Sequence, residues 1–115
     1  MTQVGHAADV PAETVAEAPG VAIRWLIAQK AGARNFAMRV IEVQPGAATP
    51  WHSHGTEHEA FVLDGEGVLR TLEGETPLAE DDYGFVSPGI WHQFINRGSG
   101  LFRFICVVTM PDEPH

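Results

Sequence analysis

The stretch Gly46-Ala-Ala-Thr-Pro-Trp-His52-Ser-His54-Gly-Thr-Glu-His58-Glu-Ala-Phe-Val-Leu-Asp-Gly65 carries three histidines at positions i, i+2 and i+6. It lies between a Pro-Gly turn, Pro45-Gly46, and an Asp-Gly turn, Asp64-Gly65. Side chains alternate between faces along an extended chain, so His52 and His54 point the same way, with Cα atoms roughly 6–7 Å apart. His58 keeps that parity and opens the apolar run Ala60-Phe61-Val62-Leu63. Three imidazoles on one face of a strand region can converge on one ion. A further histidine, His92, stands in a second strand-like run, Trp91-His92-Gln93-Phe94-Ile95-Asn96, and the other two, His6 and His115, are near the termini.

Working outward, turn signals recur at short intervals: Asp64-Gly65-Glu66-Gly67, Glu73-Gly74-Glu75, Glu80-Asp81-Asp82, Pro88-Gly89 and Gly98-Ser99-Gly100. Between them lie the strand-like runs Val68–Leu72, Tyr83–Val86, Trp91–Asn96 and Leu101–Thr109. Upstream, Val21–Lys30 and Asn35–Val43 read as strands from their β-branched and aromatic content and the flanking Gly20 and Gly32. Many short strands at this spacing predict an all-β sandwich or barrel. Residues 1–20, rich in Ala, Glu and Pro, read as an N-terminal arm or a short edge strand, and residues 111–115 as a C-terminal tail. With no internal repeat or linker, residues 1–115 are expected to form one domain.

The spacing resembles the cupin family. That family's first motif reads Gly, five residues, His, one residue, His, three or four residues, Glu, six residues, Gly. Gly46, His52, His54, His58 and Gly65 match it, with His58 in the slot usually held by Glu. The second motif reads Gly, five residues, Pro, one residue, Gly, two residues, His, three residues, Asn. Gly89, His92 and Asn96 match; Asp81 stands at the first Gly, and Ser87 at the Pro, with Pro88 displaced by one. The resemblance, to a small single-domain cupin of the manganese- or iron-binding kind, implies a double-stranded β-helix (jelly-roll, or cupin barrel). It also implies one divalent transition metal per chain, held by His52, His54, His58 and His92. Mn or Fe is the expected ion, with Zn, Ni, Cu and Co as alternatives that imidazole also suits.

Four imidazoles leave a divalent site at +2, where a carboxylate in the His58 slot would lower it to +1. That favours the lower oxidation state and an anionic or oxygen-donor ligand at any open position. Glu59 is the rival ligand, but strand parity turns it away from His58. A closed tetrahedral Zn site is the competing geometry. Around the metal, Phe94 and Asn96 share the parity of His92. In the last strand, Arg103 marks the outer face and places Phe104, Cys106 and Val108 inside. Arg39 is a lone cation in an apolar strand, suited to anchoring a substrate carboxylate or to a surface or interface salt bridge. Trp51 and Trp91, each just before a ligand, should point opposite to it and pack against a second sheet or subunit.

The formal net charge of −8 argues against nucleic acid and against an anionic membrane surface as partners. The first ten residues lack the basic and apolar segments of a secretory signal, no apolar run approaches the ~18 residues of a bilayer span, and Cys106 stands alone. A cytoplasmic protein is therefore expected. Nucleophile elbows, phosphate loops and Cys-x-x-Cys pairs are absent from the sequence. The expected activity is a metal-dependent oxidoreductase of the dioxygenase type on a small apolar or aromatic molecule, with dioxygen as co-substrate, in a homodimer. The alternatives are a non-catalytic binding or sensing cupin and a sugar isomerase-type cupin.

Overall fold

Short runs with a period of two, punctuated by Gly, Pro and Asp turns, leave the backbone hydrogen bonds to be made between strands. The computed structural model, which describes residues 2–110, makes them in two antiparallel sheets. In chain order the strands are β1 (Glu13–Thr14), β2 (Val21–Ile27), β3 (Phe36–Val43), β4 (His58–Asp64), β5 (Glu66–Thr71), β6 (Gly74–Ala79), β7 (Tyr83–Val86), β8 (His92–Ile95) and β9 (Phe102–Thr109). One sheet has the order β1-β2-β3-β9-β4-β7 and the other β6-β5-β8. Residues 46–52 run beside β8: Gly46 N donates to Asn96 O, Thr49 N to Phe94 O, and His52 and His92 exchange both backbone bonds. The result is an all-β jelly-roll barrel.

The alternation in β9 decides what faces inward. Phe102, Phe104, Cys106 and Val108 are buried, as are their inward neighbours Ala37, Ile41 and Val43 on β3 and Ala60 and Val62 on β4. Phe94, Phe104 and Phe102 stack in series, with centroids 4.4 and 5.0 Å apart. Opposite them, Arg103 bonds Glu42 at 3.1 Å and Asp64 at 2.7 Å, and Arg24 bonds the same Glu42 oxygen. Such half-exposed pairs contribute little to stability, but they account for the charged residues Arg24, Glu42 and Arg103 on the outer face of these strands. The step from β4 into the second sheet turns at Gly65, whose φ is 76°; a Cβ there would lie 2.2 Å from the Leu101 carbonyl oxygen.

The ends of the chain, the close of β2 and the stretch before β7 add to the sequence reading or depart from it. The strand begun at Val21 ends at Ile27, after a register shift between Trp25 and Ile27, and Gln29–Ala31 form a 3-10 turn. The N-terminal arm holds a 3-10 turn, Ala7–Asp9, and the short edge strand expected there is the two-residue β1, which pairs with β2 at the sheet edge. Beyond β1, Val15 and Ala18 enter the core. Gly74–Ala79 is a strand that the sequence reading passes over because of its Gly and Pro77. Pro77 is tolerated there because β6 is an outer strand of its sheet. The proposed C-terminal tail lies outside the described residues.

Candidate metal centre

The first motif is built on two different kinds of backbone. His52 sits in a bridge with His92, so the second sheet holds it; His54 follows in a loop; His58 is the first residue of β4 in the larger sheet. The loop carrying His54 is tied to the second motif by Gly89 N, which donates to His54 O at 2.7 Å. That contact needs the tight turn at Pro88-Gly89, where Gly89 has φ 81°. Asp81, at the motif position where Gly is expected, adopts φ 73° itself. Asp tolerates this left-handed region better than most residues, so the departure from the motif keeps the turn.

The four imidazoles meet at the mouth of the barrel. Ring centroids are 4.2 Å apart for His52 and His54, 4.4 Å for His54 and His58, and 5.4 Å for His58 and His92. His54, His58 and His92 each offer a ring nitrogen within 4.8 Å of the others, so these three can hold one metal ion. His52 stands beside this trio, 5.8 Å from the His92 ring. Three of the four expected ligands are thus within reach of one ion, and His52 lies next to them, 4.2 Å from the His54 ring.

The donor chemistry fits a transition metal. His92 Nδ1 lies 2.8 Å from the Ile90 carbonyl oxygen, which can only accept, so Nδ1 carries the proton and Nε2 keeps its lone pair for an ion. Burial lowers the pKa of His92, and the bond to Ile90 partly opposes that; the ring is therefore neutral at pH 7, as a ligand must be. Glu59 faces outward and is exposed, as its parity predicts.

Beneath the histidines lies a cavity of about 40 Å³ lined by His52, His58, His92, Arg39, Phe94 and Cys106, with Val15, Val21, Ile23, Ile41, Thr49 and Pro50 completing its wall. That is room for the centres of a few waters or one small ligand. Arg39 is fully buried in the barrel interior. It therefore makes no surface or interface salt bridge, because β3 turns Ala37, Arg39 and Ile41 into the barrel rather than toward solvent. Its Nη2 donates to Cys106 Sγ at 3.1 Å, and its guanidinium lies 5.1 Å from the centre of the Trp25 ring. Cys106 Sγ is also 3.9 Å from His58 Nδ1. Burial raises the Cys106 pKa, against the opposing charge and hydrogen bond of Arg39, so it is a thiol.

Phe104 and Val108 are buried, as expected, but they form core beside the cavity rather than its lining. Asn96 does not share the cavity with His92. It is fully buried away from it, donating Nδ2 to Val43 O and Gly100 O and accepting from Gly98 N. Trp51 and Trp91 pack on each other at 6.0 Å, and Arg70, from β5 of the second sheet, lies over Trp51 at 4.4 Å. The sequence reading did not single out Val15, Val21, Ile23, Thr49 or Pro50. Alternation in β2 groups Val21 with Ile23, but nothing local says that this face meets the histidines.

Residues 39–108, which span both motifs, match the family model described as Cupin domain. The chain belongs to the cupin family. Among curated proteins, this cupin is 27% identical over 100 residues to a gentisate 1,2-dioxygenase of Haloferax sp, a match covering 81% of this chain and 28% of that protein. The chain thus spans under a third of that dioxygenase. It is 30% identical over 79 residues to an oxalate-binding protein of Thermotoga maritima, covering 68% of this chain and 64% of that one. Among solved structures it is similar to the polyketide cyclase RemF from Streptomyces resistomycificus, with a TM-score of 0.92 and 30% identity over 99% of this chain and 83% of that one.

Proposed function

We propose that this cupin is a metal-dependent enzyme of the dioxygenase type, acting on a small aromatic or enolic anion at an ion held by His52, His54, His58 and His92. The observation that carries the reading is that three of these histidines share one small, otherwise apolar cavity with a buried guanidinium. Bound Fe or Mn would supply Lewis acidity and redox chemistry toward oxygen donors at this position. The chain's own residues bind and orient. Val21, Ile23, Ile41 and Phe94 exclude water from one side of the ligand, and the Ile90 carbonyl keeps the His92 proton on Nδ1. No carboxylate lines the cavity, which leaves few groups for the acid–base work of hydrolysis and weakens the sugar isomerase-type reading.

The test is oxygen uptake by protein loaded anaerobically with Fe²⁺ or Mn²⁺, using gentisate and related hydroxylated aromatics. Oxygen consumed one-for-one with substrate, and lost in His52→Ala and His58→Ala, is the expected result. Uptake no greater than that of the two variants would sink the dioxygenase reading. A second reading, cyclisation of a polyketide, is favoured by the near full-length similarity to a polyketide cyclase; it would give an isomeric or dehydrated product without oxygen consumption. The small cavity favours the first reading, because a polycyclic substrate would have to lie across the mouth. Stabilisation by the aromatic without turnover would instead indicate a binding or sensing cupin. We also propose a homodimer, supported by the exposed Phe36, Phe61, Tyr83 and Phe85 on the six-stranded sheet; light scattering giving a 12.5 kDa particle at micromolar concentration would exclude it.

A further inference from the structure

The seven basic residues of this acidic chain are not all placed alike. Arg24, Arg97 and Arg103 lie on the outside and each meets a carboxylate. Arg39 lies 1% exposed inside the barrel and takes part in no ion pair among the described residues. The Cys106 thiol accepts from its Nη2, while Nε and Nη1, both fully buried, have no hydrogen-bond acceptor among the described residues. A guanidinium stays charged at any working pH, and a buried charge without a counter-ion is costly to keep. No counter-charge faces it, for the cavity wall contains no Asp or Glu. A divalent ion at the histidines would add positive charge, not compensate it.

We propose that Arg39 is the anion-binding residue of this cavity and that the ligand is a carboxylate. The carboxylate group accepts from Arg39 Nε and Nη1, while the other end of the same small molecule reaches the histidine cluster, one sulfur atom away across Cys106. Two charge-assisted hydrogen bonds in a dry site fix both the charge and the orientation of the ligand. Small hydroxy-aromatic carboxylates are thereby selected over the corresponding uncharged phenols. The proposal rests on reading the cavity as a ligand site, and it names the ligand's charge whether or not oxygen is consumed.

The experiment compares two ring compounds that differ only in the carboxylate, 2,5-dihydroxybenzoate and 1,4-dihydroxybenzene. Their affinities are measured by calorimetry on metal-free and Mn²⁺-loaded protein, for wild type, Arg39→Met and Arg39→Lys. Wild type should bind the carboxylate at least about tenfold, and up to about a hundredfold, more tightly. Arg39→Met should erase that preference and change the phenol's affinity by less than about twofold, and Arg39→Lys should keep part of it. Metal stoichiometry should be the same in all three. Ligand-free Arg39→Met should melt no lower than wild type, because a near-isosteric apolar side chain replaces an uncompensated charge. The proposal is overturned if wild type shows no carboxylate preference, including the case in which neither compound binds. It is overturned equally if Arg39→Met keeps the preference, or if it melts well below wild type with the preference intact, which would make Arg39 a structural partner of Trp25. Loss of metal binding without loss of the carboxylate preference would strike the metal-enzyme reading and leave this one standing.

Discussion

Replacing Asn96 with Ala separates the scaffold from the metal centre. Asn96 is the last residue of the second motif and has the parity of His92, yet its side chain is a staple rather than a cavity wall. It donates to Val43 O at 2.8 Å and Gly100 O at 2.7 Å and accepts from Gly98 N at 2.9 Å, all while 0% exposed. Those three bonds tie the end of β8 to β3 and to the loop before β9. Alanine removes all three. At about 1 kcal/mol net for each bond, with more for a group left buried and less for one that water can reach, the loss is about 2–4 kcal/mol. Gly98 and Gly100 lie near the surface and can rehydrate, whereas Val43 is 0% exposed, so the Val43 carbonyl sets the larger share. An unfolding entropy of roughly 0.24 kcal/mol/K, scaled from per-residue averages, turns this into a fall in Tm of about 8–16 °C. Calorimetric melting of the metal-free proteins measures it, and a metal titration at 10 °C, where both are folded, should give equal stoichiometry. A Tm within 2 °C of wild type, or lost metal binding in a folded Asn96→Ala, would refute the assignment of Asn96 to the scaffold.

Other outcomes are equally direct. His58→Ala should weaken Mn²⁺ or Fe²⁺ binding by about two to three orders of magnitude, from sharing a binding energy of order 10 kcal/mol among four ligands, while Glu59→Ala should change it less than about threefold; the reverse pattern would put the ligand register off by one residue. His58→Glu should still bind the ion, through a carboxylate oxygen, but shift its oxidation potential downward, which anaerobic redox titration reads. Gly67→Ala should destabilise the fold by about 1–3 kcal/mol through overpacking, because a Cβ there would stand 2.3 Å from the buried Phe102 ring; urea denaturation measures it. Burial lowers the His92 pKa below its ordinary 6.5, so below pH 6.5 the unfolded state takes up a proton that the folded state resists. Stability of the metal-free protein should therefore fall as the pH drops from 7.5 to 5.5, and the fall should be smaller in His92→Gln; equal slopes in the two proteins would contradict the burial argument.

The sequence by itself determined whatever period and turn chemistry control. Tyr83–Val86 is a strand with the bounds its flanking turns imply, and the last strand puts Phe104, Cys106 and Val108 inside because Arg103 marks the other face. The histidine spacing picked out residues that the fold gathers at one point, and His54, His58 and His92 come close enough to hold one ion. Period does not say which face of a strand turns inward when both are apolar. In β3 the set Ala37, Arg39, Ile41 and the set Met38, Val40 are equally plausible interiors, and Val40 is itself buried at 1%. Only pairing of β3 with β9, which sets Arg39 opposite Cys106, put a guanidinium in the core. Asn96 was misplaced for the same kind of reason: parity fixes a direction, but the position along the barrel axis, two residues deeper than Phe94, decides whether a side chain meets the cavity or the barrel's far end. Pro77 concealed β6 because a missing N–H rules out a central strand, and whether a strand is central or outer is a property of the assembled sheet. Three histidines within 4.8 Å of one another, a fourth beside them and a buried arginine below come from four separate segments of chain, and only long-range strand pairing brings such segments to one point.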